Sequence, residues 1–344
     1  MSTWVVVLAG GVGSRFWPLS TPERPKQFLP LVDDQPLLCN TLTRMAPLAD
    51  SAHTLVLTSK ALAPEVVRLA PAVPNDNIVV EPRPAGTAAA LTWAAGIIRR
   101  RDGADAVMVS VHADWAVRDV AAYRAALRRA VEAASAFGAL VTVGVVPARP
   151  DPGLGYICPG ERVDTDVFRV ARFLEKPDRA HAEELIRGGC LWNSGIFVWR
   201  VGDFLAEVMA RTPEIAPALR EAGDDAHRFF AAARNVSVDV GVLERSPRVL
   251  VIPGDFGWDD VGTWAALRRV RVTDAQGNAL LGGVHAVQSH GNVVHAEDGA
   301  VVLFGVSNLV VVTHAGMTLV TTVDRAADLK QLLEALPPEV SQRA

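Results

Sequence analysis

The chain has 344 residues, half of them apolar, and a formal net charge of −4 at pH 7. That length favours one large domain with a smaller companion, and the charge gives no global reason to expect a nucleic-acid partner. No apolar run reaches the roughly 18–20 residues of a membrane span, and Cys39, Cys158 and Cys190 lie far apart with no C-x-x-C, suggesting neither a disulfide framework nor a zinc site.

The opening MSTWVVVLAGG lacks the basic n-region and the apolar length of a signal peptide, so a cytoplasmic protein without a membrane association is expected. TWVVVLAGG reads as a buried strand breaking into a glycine loop. Further β-rich runs stand at 54–59, 77–82, 106–114 and 139–147, each ending in polar or turn residues. Helical patterns fall between them at 36–49, 87–101 and 120–138. Alternation of this kind predicts βαβ units: a Rossmann-like α/β fold whose mostly parallel sheet carries helices on both faces. Ligands of such sheets lie beyond the carboxyl ends of the strands, where the glycine loop and Asp114 fall.

After Pro147 the stretch RPDPGLGYICPGERVDTDVFRVARFLEKPD reads as a β-excursion. WNSGIFVWR then predicts a strand, residues 201–233 are helical, and 247–270 resume strand, loop and helix. From about Thr273 short valine runs alternate with Gly, Asn and His, and no helix is expected before RAADLKQLLEAL. The predicted division is a catalytic domain over 1–270 and a C-terminal β appendage over 271–344, β-helix-like with a terminal helix.

Only four of the 34 basic residues are lysine: Lys26, Lys60, Lys176 and Lys330. A lysine retained inside a Gly/Pro-rich motif in so arginine-rich a chain suggests a need for its compact ammonium. In LAGGVGSRFWPLSTPERPKQFLPL, Gly10, Gly11 and Gly13 let backbone N–H groups converge on an anion. The loop is not a dinucleotide fingerprint, because Phe16 stands where the third glycine belongs, and no G-K-[ST] of a P-loop follows. Arg15 and Lys26 add side-chain charge to the backbone cradle, as a triphosphate of about four negative charges requires.

This segment closely resembles the signature of the sugar-1-phosphate nucleotidylyltransferases, and its FWPLS…PKQFL form that of the mannose-1-phosphate guanylyltransferase branch. The stretches EPRPAGTAAA (81–90), VSVHADWAV (109–117), PGLGYI (152–157), FLEKPD (173–178), WNSGIF (192–197), SVDVGVLER (237–245) and GWDDVGTWAAL (257–267) follow in the family's order. The resemblance implies an enzyme that transfers GMP from GTP to mannose-1-phosphate with Mg²⁺, as a homodimer. Arg15, Lys26 and Lys176 are then its catalytic cations, Lys176 on the sugar phosphate. Asp114 and Asp260 hold the metal, each after an apolar strand in a polar turn suited to a hard cation. Asp259 is the adjacent rival, and Asp260 is preferred because the family's DVG begins there. Glu175, Asn193 and Gly155 take the sugar. Nucleotide contacts fall to Leu8, Gly10, Gly11, Gly13, Glu81, Gly86 and Thr87.

Departures from the family pattern keep alternatives open. Ala85 and Gly86 stand where a basic residue and an asparagine are common, which weakens guanine as the base, and HADW replaces the more frequent PADH. The tail has THAG where DTPD is usual. At this length the isomerase domain of the long bifunctional members is not expected. The alternatives are a sister enzyme using another base or sugar, and a non-catalytic nucleotide-sugar-binding regulator. Several residues carry bland expectations. His285, His290 and His295, five residues apart, cannot share one strand face and are expected in solvated turns. Cys190 is expected to be a core thiol, and Lys60 and Lys330 surface charges.

Overall fold

The computed structural model of the chain describes residues 2–11 and 15–341. Among them the strands are, in chain order, β1 (Thr3–Leu8), β2 (Thr54–Ser59), β3 (Ile78–Glu81), β4 (Val107–His112), β5 (Ala116–Val117), β6 (Leu140–Val145), β7 (Tyr156–Asp164), β8 (Val167–Leu174), β9 (Leu191–Arg200), β10 (Val249–Gly254), β11 (Trp258–Asp259), β12 (Ala279–Val287), β13 (Val293–Phe304), β14 (Leu309–His314) and β15 (Met317–Thr322). Contacts divide the chain into two compact units. The first comprises Met1–Gly10, Leu42–His112 and Asp119–Phe256; the second, Gly11–Thr41, Ala113–Arg118 and Gly257–Ala344. The C-terminal strands thus share a unit with two earlier segments rather than standing alone.

The first unit is built on a sheet of order β3-β2-β1-β4-β9-β6-β10-β8-β7. Strands β3, β2, β1 and β4 run parallel, as do β6 and β10, while β9 lies antiparallel to both β4 and β6. Uninterrupted apolar runs such as WVVV in β1 suit strands covered on both faces. Leu8 pairs with His112 and Leu57, and Ser59 with Glu81, so the carboxyl ends of four parallel strands share one edge. The alanine-rich helix Gly86–Asp102 buries most of its length, and Asp119 caps the helix Val120–Phe137 through the Ala122 N–H at 2.9 Å. Around them Trp93, Trp199, Phe204, Phe229 and Phe230 form one apolar core.

The excursion after Pro147 is the antiparallel ribbon β7–β8, and it corrects the reading of the cysteines. Strand β7 also pairs with β9 in the register Ile157–Leu191, which sets Cys158 opposite Cys190 with Cα atoms 4.2 Å apart, and the two form a disulfide. Cys190 is therefore a bridged cysteine and no core thiol, and Cys39 takes no part in the bridge.

In the second unit β5 pairs with β11, and β12-β13-β14-β15 form a second sheet, parallel across the first three strands and antiparallel at the last. The valine runs supply its inward face: Val293, Val310, Val312 and Leu319 share a core with Phe16, Trp17, Leu19, Leu29, Leu31 and Trp264. The asparagines punctuating those runs satisfy buried backbone. Asn278 Oδ1 accepts from the Asn292 N–H at 2.9 Å, and Asn292 Oδ1 from the Leu309 N–H at 2.9 Å.

The histidine expectation is also corrected. His285 lies exposed on β12 and His290 is exposed at an isolated bridge to Ser307, but His295 is on β13 with only 2% of its surface exposed. Its ring meets Trp264 edge-on and accepts from the Arg271 guanidinium at 2.8 Å. No helix of the described residues is long and apolar enough to cross a membrane.

Candidate functional site

In the second unit the ammonium of Lys26 is the centre of a small polar cluster. Lys26 opens a short 3-10 turn, Lys26–Phe28, behind Pro25, and its side chain is 13% exposed. Its Nζ lies 2.9 Å from Asp114 Oδ2 and donates to the carbonyls of Asp260 at 2.7 Å and Val261 at 3.2 Å. Three oxygens converging from different segments is a task for a compact ammonium, not for a planar guanidinium. The structure thus brings the Lys26 ammonium against the Asp114 carboxylate and the main-chain carbonyl of Asp260.

Backbone conformation singles out the same place. Val261 has φ of +48°, an outlier for a β-branched residue, and its N–H is held by Asp259 Oδ1 at 2.9 Å. Asp259 is 5% exposed and also takes both arms of Arg269, at 2.7 and 3.1 Å. It is committed to holding the turn, whereas its neighbour Asp260 is partly exposed. A Cβ on Gly262 would lie 2.8 Å from Asp260 Oδ2, so the glycine leaves room for that carboxyl.

Gly11 is exposed, and its carbonyl accepts from the buried Gln27 Nε2 at 2.9 Å. Arg15 is exposed, and Gly13 lies outside the described residues. Gln27 is missed by sequence reasoning, although it sits in the quoted PKQF. Its burial is what marks it, and a single sequence does not disclose burial.

Two groupings of predicted residues lie in the first unit. At the sheet edge Glu81 ends β3, and a Cβ built on Gly10 would stand 3.6 Å from its Oε1. Burial pushes the Glu81 carboxyl up to about 7. Leu8 is partly buried at the end of β1. Gly86 has φ of +82°, and a Cβ there would meet the Val236 carbonyl at 2.3 Å, so this close approach requires glycine. Thr87 Oγ1 accepts from the Val238 N–H at 2.9 Å, which ties it to the 236–238 segment.

The other grouping assembles Gly155, Glu175, Lys176 and Asn193. A Cβ on Gly155 would lie 2.8 Å from Glu175 Oε2 and 3.4 Å from Asn193 Cβ, and its carbonyl accepts from the Asn193 N–H at 2.8 Å. Lys176, at φ of +45°, pairs with Glu175 at 2.9 Å and is 65% exposed. Asn193 Nδ2 donates to Asp239 Oδ1 at 2.7 Å. Burial raises the Asp239 carboxyl above its usual range, against the lowering effect of that hydrogen bond. Glu244 is raised as well, first by burial and then by the charges of Asp239 and Glu175. Asp239 is a second residue the sequence reading misses. Its motif SVDVGVLER was visible, and the π-helical turn Asp239–Leu243 that aims it was not.

Carboxylates, an amide and an ammonium gathered in this way have the chemistry to accept and donate hydrogen bonds to a polyol and to meet a phosphate. The Lys26 cluster is an anion and hard-cation surface. Asp114 enters the cluster through its carboxylate and Asp260 through its main-chain carbonyl, and Mg²⁺ is a hard cation that takes one or two carboxylates and fills its octahedron with water and substrate phosphates. No group of three or more His, Cys, Asp or Glu suited to a metal occurs among the described residues, so the protein offers no complete cage of its own there.

Residues 4–277 match the nucleotidyl transferase family, and residues 282–336 the mannose-phosphate isomerase/GMP-like β-helix domain. Mannose-1-phosphate guanylyltransferase RfbM of Salmonella typhimurium is 35% identical over 98% of this chain and 73% of its own length. Mannose-1-phosphate guanylyltransferase of Escherichia coli K12 is 35% identical over 96% of this chain and 73% of its own. A crystal structure named mannose-1-phosphate geranyltransferase, from Thermus thermophilus, superposes with a TM-score of 0.90 at 37% identity, covering 97% of this chain and all of that one. The chain belongs to the nucleotidyl transferase family, among the mannose-1-phosphate guanylyltransferases with a C-terminal β-helix domain.

Proposed function

We propose that the chain transfers GMP from GTP to mannose-1-phosphate, releasing pyrophosphate and giving GDP-mannose. The observation that carries this reading is the Lys26 ammonium held against Asp114 and the Asp260–Val261 carbonyls. An oxygen of the sugar phosphate bonds to the α-phosphorus as the bond to the pyrophosphate oxygen breaks. No base is needed, because a phosphate monoester with a second pKa of about 6 is already ionised at neutral pH. The difficulty is bringing two anions together, which cations and positioning solve.

Lys26 and Arg15 serve the triphosphate with the N–H groups of Gly10 and Gly11. Asp114 and Asp260 would hold Mg²⁺, whose charge screens the phosphates and the leaving pyrophosphate. Lys176 receives the sugar phosphate, and Glu175, Asn193 and the backbone at Gly155 receive sugar hydroxyls. Guanine is supported by Glu81 beside Gly10. With that carboxyl raised to about 7, its ionised form presents two acceptors that match the N1–H and N2–H₂ donors of guanine and not the edge of adenine, so GTP should bind more tightly as pH rises through about 7. Leu8, Gly86 and Thr87 complete the nucleotide's surroundings. A homodimer belongs to the same reading, supported by the exposed Val302 and Phe304 on β13, and sedimentation velocity tests it.

Pyrophosphate release with Mg²⁺, measured for four nucleoside triphosphates against mannose-1-phosphate and glucose-1-phosphate, tests the reaction. Release confined to GTP with mannose-1-phosphate is the expected result. Another preferred pair would move the chain to a sister specificity, and no release with any pair would leave a nucleotide-sugar-binding protein. Asp260→Asn should raise the Mg²⁺ concentration for half-maximal rate and lower kcat by about a hundredfold.

A further inference from the structure

The loop carrying Lys26 is pinned on both sides of that residue, and both pins belong to one chain of side chains in the second unit. Two residues before Lys26, the Arg24 guanidinium grips Glu297 of β13, with Nη2 3.1 Å from Oε1 and Nη1 3.4 Å from Oε2. Five residues after it, the Leu31 carbonyl accepts from Arg271 Nε at 2.6 Å. The pins are joined inside the protein. Arg271 Nη2 donates to His295 Nδ1 at 2.8 Å, and His295 Nε2 lies 3.7 Å from Glu297 Oε1. An Nδ1 that accepts leaves the proton on Nε2, directed at Glu297, so His295 links the two cations as a neutral ring. Burial lowers the His295 ring in agreement with that state.

A surface ion pair alone would decide little. This arrangement differs because Arg271 and His295 are buried, and Arg271 also donates to the Val294 carbonyl at 3.1 Å. Just before the first pin Arg24 N–H closes on Thr21 Oγ1 at 3.0 Å, and between the pins Phe28 and Leu29 N–H close on the Pro25 and Lys26 carbonyls at 2.9 and 3.0 Å. Little slack remains in a segment fixed at residues 24 and 31.

We propose that Arg24, Glu297, His295 and Arg271 are positioning residues that set where the Lys26 ammonium stands, making strand β13 of the β-helix domain part of the catalytic apparatus. The proposal rests on the reading of Lys26 as a triphosphate ligand. None of the four is assigned a contact with substrate; they act through the 24–31 segment.

Arg24→Gln and Glu297→Gln in the full chain test it, because the Arg24–Glu297 end is half exposed and its loss leaves the core intact. Each should lower kcat/KM for GTP by tenfold or more, since a misplaced cradle cation costs rate at that scale. KM for mannose-1-phosphate should stay within about twofold. Arg24→Lys, which keeps a cation opposite Glu297 and leaves Glu297 in place for His295, should retain more of the rate than Arg24→Gln. Hydrogen exchange at Phe28 and Leu29 reads the same clasp without substrate and should accelerate about tenfold in both single variants, with β1 unchanged. Unchanged kcat/KM together with unchanged exchange overturns the proposal. A wild type silent with every triphosphate would defeat the functional reading alone, because the exchange rates would still decide the clasp.

Discussion

Around Lys26 the partners differ in kind: one carboxylate, two carbonyls, and a strained valine that turns one of those carbonyls toward it. Lys26→Arg keeps the charge and cannot reproduce three converging contacts, so kcat/KM should fall about a hundredfold with the fold retained, by steady-state kinetics and circular dichroism. Glu81 gives a pH prediction. Burial raises its carboxyl from 4.5 to about 7, so the folded chain binds that proton more tightly than the unfolded chain does. The associated stability is present in full below pH about 4.5 and is lost as pH rises through about 7. Glu81→Gln should flatten urea-melt stability over that window by on the order of 2 kcal/mol. At this scale the motif spacing pointed to Lys26 and Asp114, and to Gly155, Glu175 and Asn193, which the structure gathers into two clusters. Gln27 and Asp239 stayed hidden, because what distinguishes them is burial and a partner far away in the chain.

Elements were legible where periodicity and caps agree. The helix Val120–Phe137 begins at Asp119 and stops at the left-handed Gly138, close to its expected span. The helix expected over 36–49 ends at Met45. Strand direction was not legible: nothing in WNSGIFVWR says that β9 runs antiparallel between β4 and β6, since alternation of side chains is the same either way. The Cys158–Cys190 bridge was missed for the same reason, because only β7–β9 pairing closes a separation of 32 residues. Replacing both cysteines by alanine should lower stability by about 3 kcal/mol under oxidising conditions, and wild type should lose a similar amount under dithiothreitol in parallel urea melts. Gly86→Ala should cost more than the usual 1 kcal/mol or so for a lost positive φ, because the added methyl meets the Val236 carbonyl.

For the molecule as a whole, the break in composition near Thr273 was plain, but its structural meaning was not. Phe16, Trp17, Leu29 and Leu31 pack with Val293, Val310 and Leu319, so the β-helix strands complete a core begun by the signature segment. A chain ending at residue 272 should therefore lose all turnover and the near-ultraviolet circular dichroism that Trp17 and Trp264 contribute, because their core is left open. The scarcity of lysine has one more consequence. With four ε-amines in the chain, acylation followed by peptide mass spectrometry becomes a footprint of ligand occupancy. Lys330, 89% exposed, should label fastest and serve as the internal clock. Lys26, caged by three oxygens, should label last, and Lys176 should slow only when a sugar phosphate is added, so that each substrate's arrival is written on a separate amine.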